Sequence, residues 1–165
     1  MLHRGKMEIY TERKTSQGEI CVMKLYTIKL CYQEICTGEG PWLLLGNFMN
    51  DWYAYHRDRR TDLIKDPIEI PENPTLHQKQ WASFCAASVE YLCQLYEMFC
   101  PEWALSAKYI LIEPWYYSFK SHKPEVRARL EVETPRPFTQ RGIYCGNRIF
   151  MNKYEELPVR ELQLA

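Results

Sequence analysis

The sequence predicts a mainly α protein, a small single-domain helical bundle of about four to five helices with a short C-terminal β-hairpin. Three observations lead to this prediction. Apolar residues recur with a helical period along most of the chain, prolines and capping residues divide that pattern into segments, and one Gly-Asn pair separates two short apolar runs near the end. The 165 residues suit one helical domain over 19–154, with a flexible leader or weak strand over 1–18 and a polar tail over 155–165.

The first element after the leader has two interpretations. An amphipathic helix, ended by Gly38 in a left-handed cap, is favoured by apolar residues at spacings of three and four: Cys21, Leu25, Ile28, Tyr32 and Ile35. The stretch "ICVMKLYTI" is also rich in strand formers, and it could pair with "MEIYTE" as a hairpin. The sequence leaves both interpretations open.

Pro41 is suited to the first position of a second helix, because proline there loses no helical hydrogen bond. The apolar face of this helix continues toward Leu63, with a break near His56, through Leu45, Phe48, Trp52 and Tyr55. Three prolines in "KDPIEIPENP" then predict an extended connector, since each removes a backbone donor.

The clearest helix signal begins at Thr75, which forms a capping box with Gln78. Behind it a broad apolar stripe of about six turns predicts a long helix. The residues of this stripe are Trp81, Phe84, Cys85, Ser88, Tyr91, Leu92, Leu95 and Phe99. Pro101 stops this helix, and short helices are predicted over "PEWALSAKYI" and "PEVRARLEVE", with the irregular aromatic stretch "PWYYSF" between them.

The C-terminal stretch begins with a proline-rich segment. Thr134 and Arg136 each precede a proline, which favours extended backbone, so "TPRP" is predicted to be a strut and not a helix. Gly142 marks a turn. Gly146-Asn147 can supply the positive φ angles of a two-residue turn, which predicts a hairpin between "IYC" and "RIF".

The charges of the chain balance, with 21 Lys plus Arg against 21 Asp plus Glu. The molecule therefore has no overall field that would steer nucleic acid or a membrane toward it. Lys120 to Lys153 is locally basic, with eight Lys or Arg against three Glu. No apolar run reaches the roughly 18 residues of a membrane span, so no membrane contact is predicted.

Cysteine usage points to free thiols in the cytoplasm, because seven cysteines are an odd number and the chain is not a small disulfide scaffold. The closest pair, Cys31 and Cys36, is five residues apart and has no matching second pair, so neither a metal site nor a cofactor is predicted. Cys145 lies in the basic segment, which would favour its thiolate, although a structural cysteine is the preferred interpretation. The run "HRDRR", residues 56–60, is interpreted as a solvated helix end, and no catalytic residue is predicted.

The basic segment supplies the candidate residues for binding a partner or an anion. These are Arg127, Arg136, Arg141, Asn147 and Arg148. Basic groups beside stackable rings such as Tyr144 and Phe150 can hold single-stranded nucleic acid. Zero net charge argues against that use, so nucleic acid is the less favoured partner.

Four stretches resemble a family of small uncharacterised prokaryotic proteins. They are "LLLGNFMNDWYAYHRDRRTDLIKDPIEIPENP", "WASFCAASVEYLCQLYEMFCPEW", "EPWYYS" and "TPRPFTQRGIYCGNRIF", and together they span most of 42–154. The resemblance implies a partner more than an activity, since such proteins are often encoded beside a nucleotidyltransferase-like protein in pairs that look like toxin–antitoxin or defence modules. It also suggests a second contact at Asp51, Trp52, Arg60 and Trp115.

The family pattern keeps one of the candidate arginines, Arg141. This arginine either holds the terminus through a buried carboxylate or reaches a partner. The leading expectation is a non-catalytic interaction or regulatory protein. A nucleic-acid-binding regulator that uses residues 120–153 and an enzyme of unknown class are the alternatives.

Overall fold

The protein is mainly helical, as predicted, in a computed structural model that describes residues 10–14 and 20–154, with side chains from Lys24 onward. The described elements are β1 (Tyr10–Lys14), β2 (Ile20–Lys24), α1 (Ile28–Cys36), α2 (Pro41–Asn50), α3 (Arg60–Ile64), α4 (Leu76–Leu95), β3 (Trp115–Tyr116), α5 (Pro124–Glu133), α6 (Arg136–Thr139) and β4 (Ile143–Tyr144). The polar tail lies outside the described residues. Within the described residues no helix is long and apolar enough to cross a membrane.

The two interpretations of the N-terminal region each describe part of it. Strands β1 and β2 pair antiparallel, with Tyr10 opposite Lys24, so the hairpin alternative is confirmed there. The helix begins only at Ile28, because Thr27 caps it by accepting a hydrogen bond from the Leu30 amide at 3.2 Å. Its predicted end is confirmed, since Gly38 has a φ of 102°.

Helix α2 begins at Pro41 as predicted, and the predicted break at His56 is also confirmed. Between them the α-helix widens into a π-helical turn over Asp51–Tyr55. A 3-10 turn over Arg57–Arg59 then leads into α3. The interpretation of residues 56–60 as a solvated end is wrong for His56, which is 3% exposed.

Helix α4 has the predicted capping box. The Gln78 amide donates to Thr75 Oγ1 at 3.1 Å, and the Thr75 amide donates to Gln78 Oε1 at 2.9 Å. The helix ends at Leu95, one turn before the predicted Phe99. Glu97 causes this early end, because it adopts a left-handed φ of 52° that a helix cannot continue.

Helix α5 covers the predicted "PEVRARLEVE" segment, while "PEWALSAKYI" forms two 3-10 turns over Glu102–Leu105 and Ala107–Tyr109. The prediction of an extended "TPRP" strut is wrong from Arg136 onward, where α6 forms one helical turn. Pro137 is tolerated there because the first helical positions need no amide donor.

The predicted C-terminal hairpin is also wrong. Strand β4 instead pairs in parallel with β3, with Trp115 opposite Ile143 and Tyr116 opposite Tyr144. The amides of Cys145 and Gly146 both donate to Thr134 Oγ1, at 3.0 and 2.8 Å, so they are not free for a hairpin ladder. Gly146 still has the positive φ, 75°, that its sequence context predicts.

The core is built around α4 and is strongly aromatic. Phe84 is fully buried, and its ring lies 5.1 Å from that of Trp81 and 5.2 Å from that of Phe138. It also contacts the rings of Trp115 and Phe150 at 6.3 and 6.2 Å. The high aromatic content therefore joins α4 to the C-terminal segment of the chain.

Candidate protein-binding groove

An apolar groove of about 520 Å³ opens at the N-terminal end of α4. We define the apolar groove by its lining residues, which are Ile70, Pro74, Leu76, Lys79, Lys108, Tyr109, Ile110, Leu111, Ile112 and Glu113. One group comes from the end of the proline-rich connector and the first turn of α4, and the other from the last 3-10 turn and the segment that follows it. Two distant parts of the sequence, 70–79 and 108–113, thus form one surface.

Three large aliphatic side chains of the apolar groove face solvent. Ile112 is 99% exposed, Leu76 is 64% exposed and Ile110 is 53% exposed. Single exposed apolar residues are ordinary, whereas several in one concave surface mark a site for a ligand or a partner protein. The apolar groove is therefore the best candidate for a binding surface among the described residues.

Local backbone geometry explains why Ile110 and Ile112 point outward. Tyr109 is buried, and its hydroxyl donates to the Ile68 carbonyl at 2.9 Å. Ile110 has extended backbone angles, and the Leu111 amide donates to the Arg141 carbonyl at 3.0 Å. In extended backbone successive side chains point to opposite sides, so both isoleucines lie on the side away from Tyr109.

The rim of the apolar groove carries cations. Lys79 and Lys108 are both exposed, and neither forms a salt bridge within the described part of the chain. The Lys108 ammonium lies 4.9 Å from the centre of the Tyr109 ring. Glu113 is the one carboxylate in the lining, so the rim favours a ligand that carries both apolar and acidic groups.

Two of the sequence-predicted site residues meet at a second, polar cavity of about 400 Å³. Asn147 and Arg148 line it together with Arg129, Glu133 and Cys145, among others. We call it the polar cavity. Arg129 Nε lies 3.8 Å from Glu133 Oε2, and both residues line the cavity. The negative charge of Glu133 would repel an anion bound there.

Arg127 and Arg136 lie apart from the polar cavity. Arg127 Nε donates to the Ser121 carbonyl at 2.6 Å, and its guanidinium lies 4.8 Å from the centre of the Tyr116 ring. Arg136 is exposed on the first turn of α6. The structure therefore does not gather the predicted arginines into one site.

Arg141 is buried inside the scaffold. Its Nη1 donates to Glu90 Oε2 and to the Pro137 carbonyl, and its Nη2 donates to the Ala104 carbonyl, each at 2.6 Å. The side chain of Arg141 is 5% exposed and that of Glu90 is 13% exposed. These contacts match the first interpretation of Arg141, an anchor that holds the terminus to α4 through a carboxylate.

Asp51, Trp52 and Arg60 form a compact cluster at the π-helical turn. The Tyr26 amide donates to Asp51 Oδ2 at 2.8 Å, which ties the segment between β2 and α1 to the π-helical turn. Arg60 Nε donates to the Trp52 carbonyl at 3.0 Å. Trp115 belongs to a different place, the aromatic core, where its ring lies 5.4 Å from that of Trp81.

Asp51 should give the protein a measurable pH dependence. Burial raises the pKa of its carboxyl group, and this outweighs the Tyr26 amide and His56, which act in the opposite direction. A carboxyl with a raised pKa holds its proton more tightly in the folded state, so stability falls as pH rises through that range. In the variant Asp51→Asn, the carboxamide keeps an oxygen for the Tyr26 amide but does not titrate.

We therefore expect the wild type to lose free energy of unfolding relative to Asp51→Asn as pH rises above about 4, the ordinary pKa of an aspartate, and through the raised pKa of Asp51. Urea unfolding of both proteins across this range measures the difference. Asp58→Asn, at an exposed position seven residues away, serves as the control. A difference between wild type and Asp51→Asn that stays constant with pH would contradict the assignment.

The residues considered for chemistry at the sequence level lie in unsuitable surroundings. Burial raises the pKa of the Cys145 thiol to about 12, so the expectation of a favoured thiolate is wrong. Among residues 10–14 and 20–154, no group of three or more His, Cys, Asp or Glu is placed to hold a metal ion.

Sequence reasoning misses the apolar groove itself. It places the run "YILIEP", residues 109–114, at the end of a short helix, although three consecutive branched apolar residues before a proline also fit an extended segment. That local signal could have indicated an outward-facing pair of isoleucines. Nothing in the sequence shows that Leu76 and Ile70 lie beside them.

Comparisons with protein-family models, with curated protein sequences and with solved structures each return no match to this chain.

Proposed function

We propose that this protein is a non-catalytic interaction protein that binds a segment of a second protein in the apolar groove. The observation that carries the proposal is the exposure of Ile112, Leu76 and Ile110 within one concave surface. When a partner covers exposed apolar area of this kind, the area is removed from water and the complex is stabilised.

The chemistry of the apolar groove indicates the kind of segment that fits. Apolar side chains of the partner would cover the isoleucines, and carboxylates of the partner would face Lys79 and Lys108 on the rim. Charge complementarity at a rim speeds association and selects against the wrong partner, while the apolar centre supplies most of the affinity.

The basic segment supports nucleic-acid binding less well. Arg141 forms an ion pair with Glu90, and Arg129 forms one with Glu133. The Arg127 guanidinium lies over the ring of Tyr116, which could otherwise stack on a base. A surface that binds phosphates needs cations that are free to face them. We therefore place the alternative of a nucleic-acid-binding regulator second.

Within a cell, this activity suits the antitoxin-like or accessory half of a two-gene module in the cytoplasm. The partner proposed is the product of the neighbouring gene, a nucleotidyltransferase-like protein. This assignment rests on the resemblance described for residues 42–154, and the apolar groove supplies the surface on which such a partner would be held.

Co-expression with the neighbouring gene product tests the proposal. We expect one complex in size-exclusion chromatography, and we expect Ile112→Asp to weaken its affinity by about 30-fold or more, the loss typical of a central interface residue. Val132→Asp is the matched control, because Val132 is 86% exposed on α5, away from the apolar groove.

Charge reversal at the rim tests the partner's chemistry separately. Lys79→Glu with Lys108→Glu should slow association, and the effect should shrink as salt rises. Two separate peaks for the wild-type pair would overturn the proposed partner. Equal losses for Ile112→Asp and Val132→Asp would overturn the proposed surface.

A further inference from the structure

Two cysteine side chains meet where α4 ends. Cys93 lies in the last turn of the helix, and Cys100 follows the left-handed turn at Glu97. The Met98 amide donates to the Cys93 carbonyl at 2.8 Å, which closes the turn and brings the chain back toward the helix. Cys93 Sγ donates to the carbonyl oxygen of Phe99, the residue before Cys100, at 3.7 Å, and Cys100 Sγ donates to the carbonyl oxygen of Pro101 at 3.8 Å. The two thiols are therefore neighbours, and they interact electrostatically.

The surroundings of the two thiols differ. Cys93 is 1% exposed, whereas Cys100 is half-buried and reachable from solvent. The neighbouring Cys93 thiol lowers the pKa of the Cys100 thiol, and this outweighs burial and the charge of Glu90, which raise it; the positive charge of Arg141 also lowers it. An accessible thiol that ionises easily beside a second thiol is the arrangement of a redox-active pair.

We propose that Cys93 and Cys100 are a redox-active dithiol that hydrogen peroxide converts into an intramolecular disulfide. The Cys100 thiolate attacks the peroxide, which forms a sulfenic acid at Cys100 and releases the first water. The Cys93 sulfur then attacks the Cys100 sulfur, the S–S bond forms and a second water leaves. Two thiols lose two electrons and two protons, and one hydrogen peroxide is reduced to two waters.

Other cysteines of the chain provide internal controls. Cys31 and Cys85 also interact electrostatically, but both are fully buried, and burial raises the pKa of each thiol. Cys145 is half-buried and its thiol pKa is raised to about 12. Neither the buried pair nor Cys145 should react at the rate of Cys100, because the thiolate is the reactive form.

Peptide mapping of the intact wild-type protein tests the proposal without any variant. A protease that cleaves after glutamate separates the two cysteines, since Glu90, Glu97 and Glu102 bound the peptides 91–97 and 98–102. After treatment with hydrogen peroxide and without reduction, we expect these two peptides to appear linked, with a mass loss of about 2 Da for the pair. Dithiothreitol should separate them again.

Two variants test the order of the steps. Cys93→Ala should trap the sulfenic acid on Cys100, where dimedone labels it, and Cys100→Ser should leave Cys93 unlabelled and unlinked. Circular dichroism establishes that each variant is folded before it is compared. Linkage of Cys100 to a different cysteine, or two free thiols at Cys93 and Cys100 when Cys145 is already oxidised, would overturn the proposal.

Discussion

Replacing Arg141 by alanine is expected to lower the free energy of unfolding by about 3 to 5 kcal/mol. The substitution leaves the Glu90 carboxylate without its cation in a place where its side chain is 13% exposed. It also removes the donors for the carbonyl oxygens of Pro137 and Ala104. Urea unfolding followed by circular dichroism measures the loss.

Arg136→Ala is the matched control for this prediction. Arg136 lies five residues earlier, is exposed on α6 and makes no described salt bridge, so its loss should change stability by no more than about 0.5 kcal/mol. Equal effects for the two variants would show that Arg141 does not anchor the terminus. A folded Arg141→Ala protein with unchanged stability and lost complex formation would instead assign Arg141 to a partner site.

Replacing Phe84 by alanine is expected to lower the free energy of unfolding by about 3 to 5 kcal/mol. Its ring is fully buried between Trp81 and Phe138, so the substitution leaves a cavity as well as lost apolar contact. The same contacts join α4 to the C-terminal segment, and near-ultraviolet circular dichroism should therefore report loosened aromatic packing.

Phe99→Ala removes the same number of atoms from a ring that is 88% exposed. We expect this control to change stability by no more than about 0.5 kcal/mol. Similar losses for Phe84→Ala and Phe99→Ala would contradict the position of Phe84 at the centre of the core.

Elements with a local chemical signal could be predicted from the sequence. Thr75 with Gln78 marks the start of α4, and Pro41 and Pro124 mark the starts of α2 and α5, because a cap or a proline acts within one turn of its own position. The helical period then supplies the buried face of each helix.

Elements that depend on distant contacts could not be predicted in this way. Strand β4 pairs with β3 and not with the residues that follow it, and Thr134 Oγ1 accepts hydrogen bonds from the amides of Cys145 and Gly146. No local sequence pattern predicts these hydrogen bonds. The early end of α4 depends on Glu97 in a left-handed conformation, which residue type alone does not favour.

The candidate binding residues also divide into those that a local signal predicts and those that depend on distant contacts. Asn147 and Arg148 are predicted site residues and do line one cavity, because they are neighbours in sequence. Arg141 carries the same local signal but is buried against Glu90, 51 residues away along the chain. The apolar groove combines residues 70–79 with residues 108–113, a juxtaposition that only the folded chain creates.

Amide hydrogen exchange on the complex with the neighbouring gene product tests the central claim most directly. The proposed function predicts slower exchange on binding in residues 70–79 and 108–113, which contain the lining of the apolar groove, and unchanged exchange in residues 127–148. Slower exchange confined to 127–148, with the apolar groove unchanged, would contradict it and assign binding to the basic segment.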